Sequence, residues 1–249
     1  METLRGKVLI IIPAYNEEAS IGKLLDSLQQ SSTAKNADIM VVNDFSTDST
    51  EAIVRERGIK VISQIYNMGY GAALQLGYKY AFNNGYEYVI QLDADGQHDA
   101  CNIDTLFEKI SAGEYDIVIG SRYLEGSVSY KQSGIRLLSI RFFRWVIKHI
   151  GGVTVTDPTS GLQALNSNAF GYYAQYGNFD NKYPDLNMLV AMAMQGYKIG
   201  ECPAVMHQRE AGESMHSGVW KPFKYMVLMA ISTVAVTFRF SHKRGRNTQ

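Results

Sequence analysis

Short apolar runs alternate with amphipathic stretches along the first half of the chain. The apolar runs are rich in Val and Ile and do not alternate with polar residues, which predicts strands covered on both faces, as in parallel sheets. They are Lys7–Ile12, Asp38–Val42, Ile59–Ser63, Glu87–Leu92 and Asp116–Gly120. Helical patterns separate them at Glu17–Gln30, Thr47–Arg57, Tyr70–Asn83 and Asn102–Ala112. Repeated alternation of strand and helix predicts an open, doubly wound α/β sheet.

Polar residues and glycines follow each of the five predicted strands. In open α/β sheets, ligands bind beyond the carboxyl ends of the strands. The segments at these ends are Pro13–Glu17, Asn43–Asp48, Asn67–Gly71, Asp93–His98 and Ser121–Tyr123. Five such segments in succession favour one continuous ligand site over five independent turns.

Asp93 and Asp95 stand two residues apart at the end of the fourth predicted strand, so both carboxylates can approach one hard cation. Oxygen ligands of this kind suit Mg²⁺ or Mn²⁺, which keep positions open for phosphate oxygens. Gln97 offers a further carbonyl oxygen. The alternative is an Asx turn, because Asp-rich loops are common.

Composition narrows the class of protein. The chain has 249 residues, of which 46% are hydrophobic and 19% charged, so a disordered chain is excluded. Two cysteines cannot form a disulfide framework or a four-cysteine zinc site, and they predict a reducing, cytoplasmic environment. The longest charge-free stretch near the C-terminus, Tyr225–Phe238, is shorter than the roughly 18–20 residues of a membrane span.

Charge is distributed unevenly although the net charge is zero. Residues 1–120 carry nine Lys or Arg against 17 Asp or Glu, whereas residues 121–249 carry 15 against seven. A basic half often meets phosphate groups or a membrane, and solvated surface charge is the alternative.

The order of the motifs resembles the family 2 glycosyltransferases. Three segments carry the resemblance: Pro13–Glu17, Val42–Asp48 and Asp93–His98. Gly120–Tyr123 and Asp157–Gly161 narrow it to the branch of dolichyl-phosphate mannose synthase and the bacterial polyprenyl-phosphate glycosyltransferases. The resemblance extends from about residue 7 to residue 218. It implies a GT-A fold, in which a Rossmann-like nucleotide half joins an acceptor half around a mostly parallel sheet.

The resemblance also implies a nucleotide-sugar donor. The residues that it assigns to the base, the ribose and the diphosphate are Pro13, Tyr15, Glu17, Asp44, Asp93 and Arg209. Asp93, Asp95 and Gln97 would hold Mg²⁺ or Mn²⁺ against the diphosphate. Many members have Asp-Asp-Gly where this chain has Asn43-Asp44-Phe45, so the identity of the base stays open.

A cationic, aromatic-rich stretch follows the fifth strand. A helix from about Ser133 to Ile150 would place Arg141, Arg144 and Lys148 on one face. Such a helix fits the interface of a membrane, and a core helix with solvated basic residues is the alternative. The resemblance assigns Arg122 and Arg136 to the phosphate of the acceptor, and Asp157 and Ser160 to the acceptor pocket.

The sequence predicts a C-terminal segment that is separate from the catalytic domain. Residues 1–218 make the GT-A domain, and residues 219–249 an apolar helix with a basic tail. This helix fits peripheral contact with an anionic membrane leaflet, packing on the body or packing on a second copy of the chain. The loop that carries Arg209 would close over the donor.

The expected reaction is a single displacement that inverts the anomeric carbon, with Asp95, Arg122 and Asp185 as the catalytic candidates. A polyprenyl phosphate acceptor needs no strong base, whereas a sugar hydroxyl needs a carboxylate such as Asp185 to take its proton. Asp185 also fits a residue at the start of a helix. The sequence favours the phosphate acceptor over the hydroxyl of a lipid-linked saccharide, and both over a non-catalytic nucleotide-binding module. It predicts an enzyme at the inner face of the membrane that binds no nucleic acid.

Overall fold

The computed structural model describes residues 4–130, 134–182, 184–208 and 220–244. Within them one seven-stranded sheet forms from β1 (Val8–Ala14), β2 (Asp38–Asn43), β3 (Lys60–Ser63), β4 (Tyr88–Gln91), β5 (Ile117–Ser121), β6 (Gln163–Asn166) and β7 (Ile199–Pro203). The strand order is β3-β2-β1-β4-β6-β5-β7. Strand β6 is antiparallel to both neighbours, and the other pairs are parallel. The mostly parallel α/β sheet is therefore confirmed.

Helices connect the strands. They are α1 (Ile21–Ser27), α2 (Ser32–Asn36), α3 (Thr50–Glu56), α4 (Tyr70–Asn83), α5 (Cys101–Ser111), α6 (Gly134–Val146), α7 (Ser167–Ala174), α8 (Leu186–Met194) and α9 (Trp220–Arg244). A 3₁₀ turn, Leu28–Gln30, ends the first predicted helix, and a π-helical turn, Ile147–Gly151, continues α6. The first and second predicted helices begin later than expected, at Ile21 and Thr50, because turns precede them.

Strands β1 and β5 are buried along their whole length, as their uninterrupted apolar runs predict, whereas the edge strand β3 is exposed or half-buried at every residue. Along β1, Ile10 and Ile12 pack against α1 and α5 on one face. Leu9 and Ile11 pack against α4, α7 and α8 on the other. Each fully buried side chain of this size stabilises the fold by about 1.5–3 kcal/mol.

Strand β1 extends two residues beyond the predicted end at Ile12, through Pro13 to Ala14. The carbonyl of Ile11 points toward β4, where it accepts a hydrogen bond from the amide of Leu92 (3.2 Å). The pairing of β1 with β4 ends at Ile11, and the backbone of Pro13 points to the same side. The missing N–H of Pro13 therefore faces a side where the partner strand has already ended, so the strand tolerates this proline.

The C-terminal helix α9 packs on α8. The buried amide of Asn187 donates to Ser232 Oγ (2.7 Å) on α9 and to Asp180 Oδ2 (2.8 Å). Ile231, Val234 and Phe238 stay exposed on another side of α9. Among the described residues, none of the helices combines the length and the hydropathy that a membrane crossing requires.

Candidate active site

One edge of the sheet gathers the predicted site residues. Strands β1 to β5 all end at this edge because they run in the same direction. The segment before β6, residues 157–162, reaches the same edge because β6 runs in the opposite direction. Strand β7 is parallel to β5 and also ends here, and the segment after it pairs with the loop after β4 through the amide of His207 and the carbonyl of Gln97 (2.7 Å), so seven described chain segments meet along one rim.

Reciprocal hydrogen bonds join the loop after β1 to the loop after β2. The amide of Thr47 donates to Asn16 Oδ1 (2.8 Å), and the amide of Glu18 donates to Asp48 Oδ2 (3.1 Å). Burial raises the pKa of Asp48, but hydrogen bonds from Thr50 and Glu18 outweigh it, so the pKa lies below its ordinary value. The two loops therefore act as one unit.

Three of the predicted donor-binding residues lie on the first of these loops. Pro13 is buried at the end of β1, whereas the ring of Tyr15 is exposed at the rim. Glu17 Oε2 accepts a hydrogen bond from Ser20 Oγ (2.8 Å). This arrangement places one aromatic ring and one carboxylate at the end of β1.

Asp44 is buried and fastens the turn before α4. Its Oδ1 accepts from the amide of Met68 (2.8 Å) and from Gln64 Nε2 (2.9 Å), and its Oδ2 accepts from the amide of Gly69 (2.8 Å). Asp44 thus ties the end of β2 to the segment between β3 and α4.

Asn43 precedes Asp44 at the position where many family 2 glycosyltransferases, which the sequence resembles, have another aspartate. Its Nδ2 donates to Glu51 Oε2 (3.1 Å) and to Ser63 Oγ (3.1 Å), and its Oδ1 accepts from the amide of Ser46 (3.0 Å). A carboxylate here would lie against the carboxylate of Glu51 and repel it. The departure from the motif therefore has a local electrostatic reason.

Asp93 lies at the end of β4, and its side chain is about one third exposed. Its Oδ1 accepts a hydrogen bond from Tyr70 Oη (2.8 Å). A Cβ atom on Gly161 would lie 2.7 Å from Asp93 Oδ2, so only glycine leaves space for the carboxylate there. The imidazole of buried His98 accepts from the amide of Asp93 (3.2 Å).

Asp95 and Gln97 complete the predicted metal motif on a half-buried turn. Asp95 Oδ1 accepts from the amide of Gln97 (3.0 Å), which is the Asx turn that the sequence left as an alternative. This turn and the proposed metal role are compatible, because a carboxylate oxygen carries more than one lone pair.

The donor set fits Mg²⁺ or Mn²⁺. The described residues contain no group of three His, Cys, Asp or Glu side chains arranged as a complete metal site. Mg²⁺ is commonly held by one or two carboxylates together with substrate phosphates, rather than by a full protein cage. Asp93, Asp95 and Gln97 supply two carboxylates and an amide oxygen of this kind.

Arg122 and Asp157 form a buried ion pair. Arg122 Nε donates to Asp157 Oδ2 (2.6 Å), and Nη2 donates to Asp157 Oδ1 (2.7 Å) and to Thr159 Oγ1 (3.0 Å). Burial lowers the pKa of Arg122, but Asp157 outweighs this and raises it above its ordinary value. The pair joins the end of β5 to the loop before β6.

Glu201 on β7 binds the backbone of the loop that carries Asp157. Its Oε1 accepts from the amide of Asp157 (2.8 Å) and its Oε2 from the amide of Thr156 (2.7 Å). Burial raises the pKa of Glu201 despite these hydrogen bonds. Ser160, in turn, is buried and donates to the carbonyl of Gly120 (2.7 Å), so its described contact shapes the loop.

The hydroxyl of Tyr130 links Arg136 to Gln97. Tyr130 Oη accepts from Gln97 Nε2 (3.0 Å) and from Arg136 Nη1 (3.4 Å). The guanidinium of Arg144 lies 4.8 Å from the ring centroid of Tyr123, in cation–π contact. The acidic rim and the basic segment after β5 therefore meet at Gln97 and Tyr130.

Asp185 precedes α8 as its N-cap residue. Burial raises the pKa of Tyr70 well above its ordinary value, and the charges of Asp93 and Asp185 raise it further. Asp185 also lines a cavity of about 10 Å³, together with Gln91 and Gln163. The structure thus brings Asp185 to the Asp93 side of the site. Arg209 lies outside the described residues.

The sequence pattern did not identify several residues of the site. Tyr130 and Glu201 are single polar residues that no spacing marks, and Tyr70 lies in the predicted segment Asn67–Gly71, but the pattern does not indicate its contact with Asp93. Gly161 was part of a motif, but only the structure shows that it leaves space for Asp93.

Comparison with known proteins agrees with this architecture. The sequence model of glycosyl transferase family 2 matches residues 9–170. Polyprenol monophosphomannose synthase of Mycolicibacterium smegmatis is 26% identical over 219 residues, which cover 85% of this chain and 82% of that protein. Dolichol-phosphate mannosyltransferase of Pyrococcus furiosus is 37% identical over 173 residues, which cover 64% of this chain and 46% of that protein.

A solved structure shows the same fold. Glucosyl-3-phosphoglycerate synthase from Mycobacterium tuberculosis, in complex with Mn²⁺, UDP-glucose and phosphoglyceric acid, superposes with a TM-score of 0.65. The alignment covers 93% of this chain and 79% of that one at 16% identity. The matched family model spans well over half of the residues. The chain therefore belongs to glycosyl transferase family 2 and is a glycosyltransferase with the GT-A fold.

Proposed function

We propose that this protein transfers a sugar from a nucleotide-sugar donor to a polyprenyl phosphate, with Mg²⁺ or Mn²⁺ as cofactor. The names of the relatives from Mycolicibacterium and Pyrococcus support a polyprenol or dolichol phosphate acceptor. The Mn²⁺ complex of the mycobacterial synthase supports a divalent cation.

The observation that carries the proposal is the link through Tyr130 between the turn that carries Asp93, Asp95 and Gln97 and the basic segment after β5. On one side, Asp93, Asp95 and Gln97 offer oxygen ligands to a cation, and on the other Arg136 offers a guanidinium suited to a phosphate. The acceptor phosphate and the donor diphosphate would then lie on opposite sides of the anomeric carbon, as displacement with inversion requires.

Donor binding is assigned to the loops after β1, β2 and β4. Pro13, Tyr15, Glu17 and Asp44 hold the base and the ribose, and Arg209 closes on the diphosphate. The cation, when bound by Asp93, Asp95 and Gln97, offsets negative charge on the departing diphosphate. In this role Asp95 is a catalytic residue, and Tyr70 is a positioning residue that orients Asp93.

Acceptor binding is assigned to the basic side of the rim. Arg136 binds the phosphate, and Arg122 adds positive charge while Asp157 fixes its orientation. Ser160 shapes the same pocket through its contact with Gly120. An oxygen of the acceptor phosphate attacks the anomeric carbon, and the bond from that carbon to the diphosphate oxygen breaks with inversion. The phosphate is already anionic, so no base is needed.

A sugar hydroxyl is the second candidate acceptor. It would need a carboxylate to accept its proton, and Asp185, which lines a small cavity together with Gln91 at the end of β4, is the candidate for that role. Asp185→Asn separates the two reactions: it abolishes transfer to a hydroxyl and leaves transfer to a phosphate intact.

Peripheral contact with a membrane completes the proposal. No acidic residue occurs between positions 126 and 156, and α6 exposes Leu138, Phe142 and Trp145 beside Arg141 and Lys148. Apolar and cationic side chains together suit the surface of an anionic bilayer. We place the protein at the inner face of the membrane, with residues 1–218 as the catalytic domain and residues 219–249 as an appendage.

The test is a transfer assay with purified protein, MnCl₂, undecaprenyl phosphate and labelled UDP-, GDP- and dTDP-sugars. Label in the organic phase from one donor, absent with EDTA and in Asp95→Ala, is the expected result. If nucleotide is released in the presence of a saccharide but no label enters the organic phase, the acceptor is a sugar hydroxyl and not a polyprenyl phosphate. Nucleotide binding without any transfer would indicate a non-catalytic module.

A further inference from the structure

Phe45 has an unusual backbone conformation at the rim of the site. Its φ angle is 63°, in the left-handed region that glycine adopts readily. A bulky side chain is strained there, because its Cβ approaches the following carbonyl oxygen. We propose that Phe45 provides an aromatic platform for the base of the donor nucleotide, an inference that rests on the proposed function.

Neighbouring contacts force this conformation on Phe45. On one side, Asn43 Oδ1 accepts from the amide of Ser46 (3.0 Å), which closes the turn around Phe45. On the other, the amide of Asp44 donates to the carbonyl of Ala14 (2.9 Å), and the Asp44 carboxylate is held by three donors. The backbone is thus fixed on both sides of the strained residue.

The phenyl ring contributes little to the core. It is 47% exposed, whereas the two residues before it, Asn43 and Asp44, are buried. The position therefore combines backbone strain with an exposed apolar ring. Glycine would remove both costs, so folding alone does not account for a phenylalanine here. Strained residues of this kind cluster at ligand sites.

The location of the ring indicates its ligand. Phe45 follows the end of β2, next to the loop of β1 that carries the exposed ring of Tyr15. Hydrogen bonds between Asn16 and Thr47 hold the two loops together. Every nucleobase has a planar π face that stacks on an aromatic ring, and stacking discriminates weakly among bases. Phe45 would therefore add affinity for the nucleotide, and the edge contacts of other residues would select the base.

The experiment compares Phe45→Tyr, Phe45→Leu and Phe45→Gly by calorimetric titration with UDP, GDP and dTDP in the presence of MnCl₂. Phe45→Tyr keeps the π face and should bind like the original protein. Phe45→Leu and Phe45→Gly should weaken binding of the preferred nucleotide about tenfold. Phe45→Gly should also raise the melting temperature, because it removes the strain.

Pyrophosphate with MnCl₂ serves as a ligand without a base, and its affinity should be the same in all four proteins. Equal affinity of Phe45→Leu and the original protein for the nucleotide would overturn the inference. An equal loss of affinity for pyrophosphate would overturn it as well, because the ring would then not act through the base. If the original protein binds pyrophosphate but none of UDP, GDP and dTDP, the nucleotide-sugar donor of the proposed function fails instead.

Discussion

The carboxylates of Asp157 and Asp95 lie on neighbouring loops of the rim but have different surroundings. Asp157 is fully buried and binds the guanidinium of Arg122 through both oxygens, whereas Asp95 is half-buried at a turn. Removing one partner of a buried pair leaves the other charge without compensation. The first carboxylate therefore contributes mainly to stability, whereas the second has the partial exposure that contact with a ligand requires.

Asp157→Asn should lower the free energy of unfolding by about 3–5 kcal/mol, since Arg122 would keep its charge in a buried position. Asp95→Asn should leave stability nearly unchanged and should abolish Mn²⁺-dependent binding of the nucleotide. Urea unfolding and calorimetric titration measure the two effects. A loss of stability below 1 kcal/mol for Asp157→Asn would contradict the assignment.

Gly161→Ala tests the geometry around Asp93. The added Cβ would lie 2.7 Å from Asp93 Oδ2 and 3.0 Å from Tyr70 Oη, so the carboxylate has to move. We expect the turnover rate to fall by about tenfold or more, because small displacements at a reacting centre have large effects. Gly134→Ala is the matched control, since its Cβ meets no atom within 4 Å. Equal activity of both variants would refute this role of Gly161.

Residues of the site were predictable where a motif marked them. Asp93, Asp95 and Gln97 follow a strand with regular spacing, and the structure places all three at one turn. Tyr70 was not predictable as a partner of Asp93, because the contact joins the start of α4 to the end of β4 and depends on how the sheet is assembled.

At the scale of elements, short helices depend on side-chain capping. Helix α2 has five residues, too few to be stable alone. Asp104 on α5 accepts hydrogen bonds from the amides of Ser32 (3.2 Å) and Thr33 (2.8 Å) at its N-terminus, and from Ser31 Oγ (2.9 Å). Burial raises the pKa of Asp104, but these hydrogen bonds outweigh it, so the pKa lies below its ordinary value.

Asp104→Ala should lower the free energy of unfolding by about 1–2 kcal/mol at pH 7. A lowered pKa in the folded state stabilises the protein above the pKa of the unfolded chain, and this stabilisation is lost on acidification. The difference from the original protein should therefore shrink below about pH 4. Glu108→Ala on the same helix should show no such difference at any pH. Denaturant unfolding between pH 3 and pH 7 measures both variants.

Elements of the first half were predictable because each strand contains a short apolar run, from Val8–Ile12 in β1 to Val61 and Ile62 in the edge strand β3. The second half lacks that signal. Strand β6 has the sequence Gln-Ala-Leu-Asn, and β7 contains Gly200 and ends at Pro203. Both are recognisable only through their pairing with β5, which the sequence pattern does not reveal.

At the scale of the molecule, the face of α6 allows a test of the proposed membrane contact. Phe142→Ala combined with Trp145→Ala should reduce sedimentation with vesicles of phosphatidylglycerol and phosphatidylcholine, because these rings supply apolar contact at the interface. Tyr176→Ala, at a ring that is 95% exposed elsewhere, should sediment like the original protein. Unchanged sedimentation of the double variant would exclude α6 as the contact.

The reversed direction of β6 determines which residues of the chain reach this site. If β6 ran with its neighbours, residues 157–162 would enter the sheet at the far edge, about 13 Å away across a four-residue strand. Asp157 would then be out of reach of Arg122, and Gly161 out of reach of Asp93. A single change of strand polarity thus brings Asp157 and Gly161 to the edge of the sheet where strands β1 to β5 end.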